Sequence, residues 1–228
     1  MRSFTQLLAL VLLGLSACTP AADAQSGRVR PVDEADRDPS FFLFRGRLIQ
    51  AVAEHDTSFV MAHVAPDIRT GFGAEGGIGH FREMWRPGDV DSRLWSTLGR
   101  ILGLGGTFDV GPTPGDSLYR FVAPYTFSAF PEEVDAFTYQ VVTGQSVRVR
   151  QAPNLDAAVI DTLSYDVVEI RGPETGADPV PEGWARVVLD DGREGYVSSD
   201  FLVSSLDYRA GFERRDGRWM LVYLVAGD

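Results

Sequence analysis

The chain has three histidines, and their positions limit the acid–base and metal chemistry that it can perform. His55 directly precedes Asp56, and a carboxylate next to an imidazole can orient it as a general acid or base. The same two residues also suit a helix end, where Asp56 would cap the next helix. His63 and His80 lack the close spacing of a zinc motif such as HExxH. His55 and Asp56 are therefore a candidate polar pair, and no metal site is predicted.

The nucleophile inventory argues against an enzyme. Cys18 is the only cysteine, so a Cys-His peptidase mechanism has no second thiol to use. Residues 115–118 spell GDSL and resemble the motif of a hydrolase family, but that family needs a later histidine and none follows His80. All 21 basic residues are arginine, which excludes Schiff-base and Ser-Lys chemistry. We expect no catalytic residues and no cofactor.

The formal net charge of the 228-residue chain is −11. A protein that binds nucleic acid needs a basic patch or stripe to meet the phosphates. An acidic chain is also repelled by anionic lipid head groups, so charge does not hold it on a membrane. We therefore expect no nucleic-acid partner and a surface that keeps the protein apart from its copies.

The first residues read as an export signal that ends at a lipid anchor. Residues 7–15 form an apolar run that is too short to span a bilayer and suits a secretory signal. The following Leu15-Ser16-Ala17-Cys18 resembles the lipobox of bacterial lipoproteins. That resemblance implies removal of residues 1–17 and acylation of Cys18 with palmitate-type chains, which anchor durably.

The residues after this cysteine predict where the folded part is held. Thr19 stands where aspartate would retain such a lipoprotein at the inner membrane, so the resemblance implies the outer membrane, facing the periplasm. Residues 19–38 are small, polar and without an apolar period. We interpret residues 18–38 as the lipidated cysteine and a flexible tether.

Residues 138–205 have the pattern of a small β-barrel. Six short runs of β-forming residues are separated by turn residues. The runs cover residues 139–143, 146–150, 158–163, 167–170, 184–189 and 194–197. Asp191-Gly192 predicts a two-residue hairpin turn, which would pair Asp190 with Arg193 and Val187 with Tyr196.

The motifs in this segment resemble bacterial SH3 (SH3b) domains. The stretch Val147-Arg148-Val149-Arg150-Gln151-Ala152-Pro153 is similar to their "LNVRSGPS" opening. The later motifs follow in order at residues 159–163, 166–168, 183–187, 191–197 and 201–202. The resemblance implies binding of peptidoglycan peptides or an envelope protein. Trp184 and Tyr196 are candidate ligand-binding residues in an aromatic groove, or else they pack the barrel.

The flanking segments predict a second, α+β unit. An apolar helical face runs through Phe41, Phe44, Leu48, Ala51 and Val52, and further helices are predicted at residues 58–64, 78–85 and 92–102. Strands follow at residues 107–110, 118–122 and 125–130. The C-terminal hairpin, residues 206–228, should pair Phe212 with Leu221 and place a strand that is apolar on both faces inside a larger sheet.

The predicted fold class is therefore α+β, with N-terminal helices and an antiparallel sheet that the C-terminal hairpin completes. Helices followed by a curved sheet resemble an NTF2-like cone, and the SH3-like barrel would be inserted between residues 39–135 and 206–228. A packed helical subdomain without the cone is the alternative.

Three functions stay open at this stage, and one of them is that of a purely structural partner in a larger complex. The first is a non-catalytic binding or scaffolding lipoprotein of the cell envelope. The second is a small-molecule or enzymatic pocket in the α+β domain, since residues 81–130 are rich in aromatic side chains. These side chains suit either a pocket wall or a core. They are Trp85, Trp95, Tyr125 and Phe127.

Overall fold

The computed structural model describes residues 27–73, 76–110, 119–172 and 179–227, and it is a mixed α+β structure with two sheets. The first sheet has five strands, in the order Val64–Arg69, Arg218–Val225, Arg209–Arg215, Tyr119–Ala123 and Thr107–Val110. The second has seven strands, in the order Leu202–Val203, Tyr139–Val142, Val167–Ile170, Trp184–Val188, Glu194–Ser198, Val147–Arg150 and Val159–Leu163. Within the described ranges, no helix combines the length and the apolar character needed to cross a bilayer.

The five-stranded sheet and the helices that cover it form the α+β unit. Its helices are α1 (Pro39–Ala53), α2 (Thr57–Ala62), α3 (Gly77–Trp85) and α4 (Arg93–Gly103). Its strands are β1 (Val64–Arg69), β2 (Thr107–Val110), β3 (Tyr119–Ala123), β11 (Arg209–Arg215) and β12 (Arg218–Val225). The predicted apolar face of α1 is confirmed, since all five of its residues are buried.

An aromatic core joins α1 to the five-stranded sheet. The Phe41 side chain is fully buried, and its ring lies 4.3 Å from that of Phe121 and 4.8 Å from that of Trp219, measured between centroids. Phe108 and Phe212 complete the contacts at 5.5 and 5.8 Å. Burial of this many rings dominates the energetics of the unit.

The C-terminal strand β12 lies inside the sheet, as its two apolar faces predicted. It pairs with β11 on one side and runs parallel to β1 on the other. Phe212 pairs with Leu221, as predicted, but a bulge beside Gly211 then shifts the register, so Tyr223 pairs with Gly211 and not with Ala210. The sequence predicts a helix over residues 58–64 and no strand after it, whereas α2 ends at Ala62 and β1 begins at Val64.

The seven-stranded sheet lies between β3 and β11 in the chain. It comprises β4 (Tyr139–Val142), β5 (Val147–Arg150), β6 (Val159–Leu163), β7 (Val167–Ile170), β8 (Trp184–Val188), β9 (Glu194–Ser198) and β10 (Leu202–Val203). Eight buried aliphatic side chains form its own core. The predicted strands of this segment are confirmed to within a residue or two. We call residues 139–203 the SH3 module, after the domains that their motifs resemble.

The hairpin of β8 and β9 differs from the prediction by one residue. Val187 pairs with Gly195 and Arg186 with Tyr196, so the predicted pairing of Val187 with Tyr196 was wrong. The Leu189 N–H donates to the Arg193 carbonyl at 2.8 Å, and Gly192 in the loop has φ of +81°. Three residues therefore separate Leu189 from Arg193. A three-residue hairpin loop commonly ends with a glycine in the left-handed region, which is the conformation of Gly192. The slip moves Tyr196 to the opposite face of the sheet.

A second prediction also fails in the connector that leads into the SH3 module. Residues 125–130 were expected to form a strand, but Tyr125–Ser128 is a single helical turn, α5. Alternation alone cannot separate these two outcomes in so short a run.

The N-terminal residues of the described part do not behave as a tether. Val29 and Ala35 are buried, and the Glu34 carboxylate accepts a hydrogen bond from the Phe108 N–H at 2.8 Å. Val29 joins Tyr125 and Val141 in a small core where the two units meet. The prediction of a flexible tether over residues 19–38 is therefore wrong for residues 27–38. Their few apolar side chains are buried although they follow no helical or strand periodicity.

Asp38 caps α1, and its removal is expected to weaken the α+β unit. The carboxylate accepts hydrogen bonds from the N–H groups of Ser40 and Phe41 at 2.8 and 3.1 Å. Asp38→Ala should cost about 1 kcal/mol of unfolding free energy near neutral pH. Urea unfolding at pH 7 measures this loss, with Asp38→Asn as the control, because asparagine also caps helices.

The same cap predicts a pH dependence. Burial acts to raise the pKa of Asp38, but the hydrogen bonds from Ser40 and Phe41 outweigh it and hold the pKa below its usual value of 3.8. A depressed pKa stabilises the fold above the unfolded pKa and loses this contribution as pH falls through the folded pKa. The loss of unfolding free energy in Asp38→Ala should therefore become smaller below about pH 4. A loss that is the same at low pH would contradict this role of the cap.

Candidate functional site

The corrected hairpin register places the predicted ligand-binding residues on one face of the SH3 module. Trp184 and Arg186 alternate on β8, so they share a face, and Tyr196 lies opposite Arg186 on β9. Arg150 on β5 lies opposite Tyr196 on its other side. Both aromatic residues are half-buried. The interpretation of Tyr196 as a residue that packs opposite Val187 was wrong, and its ring lies on the Trp184 face.

A cleft of about 220 Å³ opens on the SH3 module beside Trp184, and we call it the Trp184 groove. Leu155 and Phe201, whose relative exposures are 75% and 44%, line the groove with Trp184. Exposed apolar side chains that cluster in this way mark interaction sites. Tyr196 lies on the same face but is not among the residues that line the groove.

Two arginines give the groove a positive wall. Arg148 is exposed, whereas Arg150 is 9% exposed and its guanidinium donates to the Ala157 carbonyl at 2.8 Å. They are the only charged residues among those that line the groove. In a chain of net charge −11, this local positive site favours an anionic ligand. Guanidinium groups recognise carboxylates by paired hydrogen bonds.

Sequence reasoning missed four of these groove residues. Arg148 and Arg150 alternate with the buried Val147 and Val149, a pattern that places both arginines on the outer face of β5. This signal was present in the sequence. The placement of Leu155 and Phe201 depends on two connections between strands, so local pattern could not have revealed it.

His55 and Asp56 do not interact as an acid–base pair. Asp56 caps α2 by accepting a hydrogen bond from the Phe59 N–H at 2.9 Å. The His55 ring stacks instead on Trp95, with ring centroids 4.9 Å apart. Both residues are exposed. This arrangement supports a structural role at the junction of α1 and α2.

The other two histidines are also engaged in local contacts. His63 Nδ1 lies 2.9 Å from the Phe59 carbonyl oxygen, and His80 Nδ1 lies 2.7 Å from the buried Thr70 hydroxyl. In the part of the chain that the structure describes, no group of three or more His, Cys, Asp or Glu residues is arranged to hold a metal ion.

The aromatic residues proposed for a pocket in the α+β unit mostly pack cores. Trp85 and Trp95 are buried in the core beneath α3 and α4, and Tyr125 is buried between the units. Burial raises the pKa of Tyr125 to about 12, so its hydroxyl stays protonated at physiological pH. Phe127 is only partly buried and lies 4.4 Å from the Arg209 guanidinium. Cys18 and the GDSL sequence at residues 115–118 lie outside the described residues.

The fold and the groove together define residues 139–203 as a small β module with a surface suited to ligand binding. Residues 145–203 match the family described as bacterial SH3 domain. This part of the chain is therefore a bacterial SH3 domain, as its motifs predicted.

No curated protein matches the chain. Among solved structures, the chain is similar to one described as a calcium/calmodulin dependent protein kinase II association domain from Xanthomonas campestris. That match covers 86% of this chain and 96% of the other, with 12% identity and a TM-score of 0.25. A score this low supports no inference about the fold of the α+β unit.

Proposed function

We propose that the chain is a non-catalytic binding protein of the bacterial cell envelope, and that its SH3 domain holds a peptide in the Trp184 groove. The observation that carries this proposal is the groove itself, in which Trp184, Leu155 and Phe201 surround a cleft walled by arginines. The apolar side chains would cover a peptide backbone or methyl groups. The guanidinium groups would bind a carboxylate.

The charge of the groove favours peptidoglycan stem peptides, which carry several carboxylates and small alanine side chains. A volume of about 220 Å³ suits a short segment rather than a folded partner surface. Binding through one exposed groove of this size should be weak, with a Kd on the order of 0.1–1 mM. An envelope protein with an acidic extended segment is the other partner that this chemistry fits.

Isothermal titration with a purified stem tetrapeptide tests the proposal directly. We expect saturable binding that weakens as salt is raised, because guanidinium–carboxylate attraction is screened. An amidated peptide of the same sequence should bind more weakly, since it lacks carboxylates. If neither peptide binds, the wall-peptide version is wrong. Capture of an acidic partner from envelope extract would then favour scaffolding.

The α+β unit is proposed to be the NTF2-like cone that the sequence resembles. Its helices precede most of its strands, and its last strand lies between β11 and the parallel edge strand β1. In the described part of the unit, the Phe41 ring and its aromatic neighbours pack in the interior. These features favour a structural role for the α+β unit over an enzymatic site in its interior.

We further propose that Cys18 anchors the protein in the outer membrane. The support is the lipobox resemblance of residues 15–18. Cys18→Ala should abolish labelling by a palmitate analogue and release the protein from the membrane fraction. Thr19→Asp is the matched variant, which should stay lipidated but move to the inner membrane. Labelling that persists in Cys18→Ala would contradict the anchor.

A further inference from the structure

A cleft of about 600 Å³ that neither the sequence nor the proposed function explains lies where the two units join. Its floor is the face of the five-stranded sheet that points away from α1, and Thr107, Asp109 and Val122 line it there. Its walls are the two connectors between the units, residues 127–136 and residues 205–206. We call it the junction cleft, and its size suits a small molecule.

Two hydroxyl groups in the junction cleft have unmet hydrogen-bonding capacity. Ser205 is only 4% exposed, and its Oγ has no hydrogen-bond partner within the described residues. Ser128 Oγ is likewise buried without a partner in the same part of the chain. Both serines line the cleft. A buried hydroxyl without a partner is costly, so such groups point to a polar ligand atom.

The cleft also presents fixed charges of both signs. Arg209 is 6% exposed, and its guanidinium is held between the rings of Phe127 and Phe72, at 4.4 and 5.1 Å from their centroids. It also donates to the Gly227 carbonyl at 2.7 Å. Asp109 and Glu132, which are both exposed, line the same cleft. A cleft that contains a positive group and two negative ones complements a ligand that carries both charges.

The remaining walls are apolar. Phe130, Val134 and Leu206 line the junction cleft together with Phe127. A ligand that consisted only of charged groups would leave these apolar side chains exposed to water. A ligand with an apolar part between its charged groups would cover them.

We propose that the junction cleft binds a small zwitterion with an apolar body, of the size of a free amino acid or dipeptide. Arg209 and the two serines would hold its carboxylate, and Asp109 or Glu132 its ammonium group. This site is separate from the Trp184 groove and does not depend on the function proposed for that groove.

Three related probes test this assignment by isothermal titration on the full soluble chain from residue 19. Phenylalanine carries both charges, 3-phenylpropionate lacks the amine and phenethylamine lacks the carboxylate. We expect phenylalanine to bind at least about tenfold more tightly than either analogue, since each loses one charged contact. Equal binding of 3-phenylpropionate, or no binding by phenylalanine and the dipeptide Phe-Ala, would overturn the proposal.

Variants locate the binding. Ala136 lines the cleft, and Ala136→Trp should fill it and abolish phenylalanine binding. Ala129 is exposed outside the cleft, so Ala129→Trp is the matched control and should bind normally. Ser205→Ala should weaken binding by about tenfold without unfolding the protein. Binding that survives Ala136→Trp would overturn the assignment, and thermal unfolding of each variant verifies that it folds.

Discussion

Replacing Trp184 by alanine is expected to weaken stem-peptide binding by about 30-fold, because a half-buried tryptophan at the centre of a binding site commonly contributes 2 kcal/mol or more. Trp184 lines the groove together with two exposed apolar side chains and two arginines. Its loss would remove the largest side chain that lines the groove. Isothermal titration at low salt measures the change.

The controls for this prediction separate binding from folding. Phe137 is 76% exposed and lies outside the groove, so Phe137→Ala should bind as tightly as the unchanged protein. Trp184→Phe should retain part of the affinity. The thermal unfolding temperature of Trp184→Ala should change little, since this side chain is only half-buried. Equal loss of binding in Phe137→Ala would place the ligand elsewhere.

The largest stability effect is expected at Phe41. Phe41→Ala should lower the free energy of unfolding by about 3–5 kcal/mol, which is the usual cost of removing a fully buried ring. The Phe41 ring touches five other aromatic rings from α1, β2, β3, β11 and β12. The cavity would therefore loosen contacts along most of the sheet. Urea unfolding followed by circular dichroism measures the loss.

The adjacent residue provides a matched control. Phe42 is 55% exposed on the same helix, so Phe42→Ala should change the unfolding free energy by no more than about 0.5 kcal/mol. Helix propensity and composition change equally in the two variants, and only burial differs. Similar losses in both variants would show that the aromatic core is not what holds α1 on the sheet.

The helices and most strands could be predicted because their signals are local. The apolar face of α1 repeats at helical spacing, and Ser92 precedes α4 as a cap. β7 was predicted with its exact limits, because β-branched residues fill it between turns. Such patterns depend on burial of one face alone and need no knowledge of distant partners.

The β8–β9 register was predicted wrongly because it is determined by contacts between residues far apart in the sequence. The β8–β9 register depends on whether Asp191-Gly192 closes a two-residue or a three-residue loop, and both suit this sequence. Gly195 determines the register. A Cβ atom at this position would lie only 2.5 Å from a methyl group of Val149 on β5, so only glycine fits there. The glycine must face inward, so Tyr196 faces out. A contact between strands 46 residues apart in sequence cannot be inferred from the hairpin alone.

The candidate sites were predictable only in part. Trp184 was identified from the SH3b motifs, but the groove also needs Leu155 and Phe201, which three-dimensional connections bring to it. The junction cleft was not predicted at all. Its lining comes from β2, β3, β11 and two connectors, so no continuous stretch of sequence carries its signature.

Co-sedimentation with purified sacculi tests whether the protein binds the cell wall through the Trp184 groove. The soluble chain from residue 19 is mixed with sacculi and centrifuged, in parallel with Trp184→Ala and Phe137→Ala. We expect the unchanged chain and Phe137→Ala to sediment with the wall, added salt to release both, and Trp184→Ala to stay in the supernatant. A chain that does not sediment, or one that sediments equally after Trp184→Ala, would contradict wall binding through this groove.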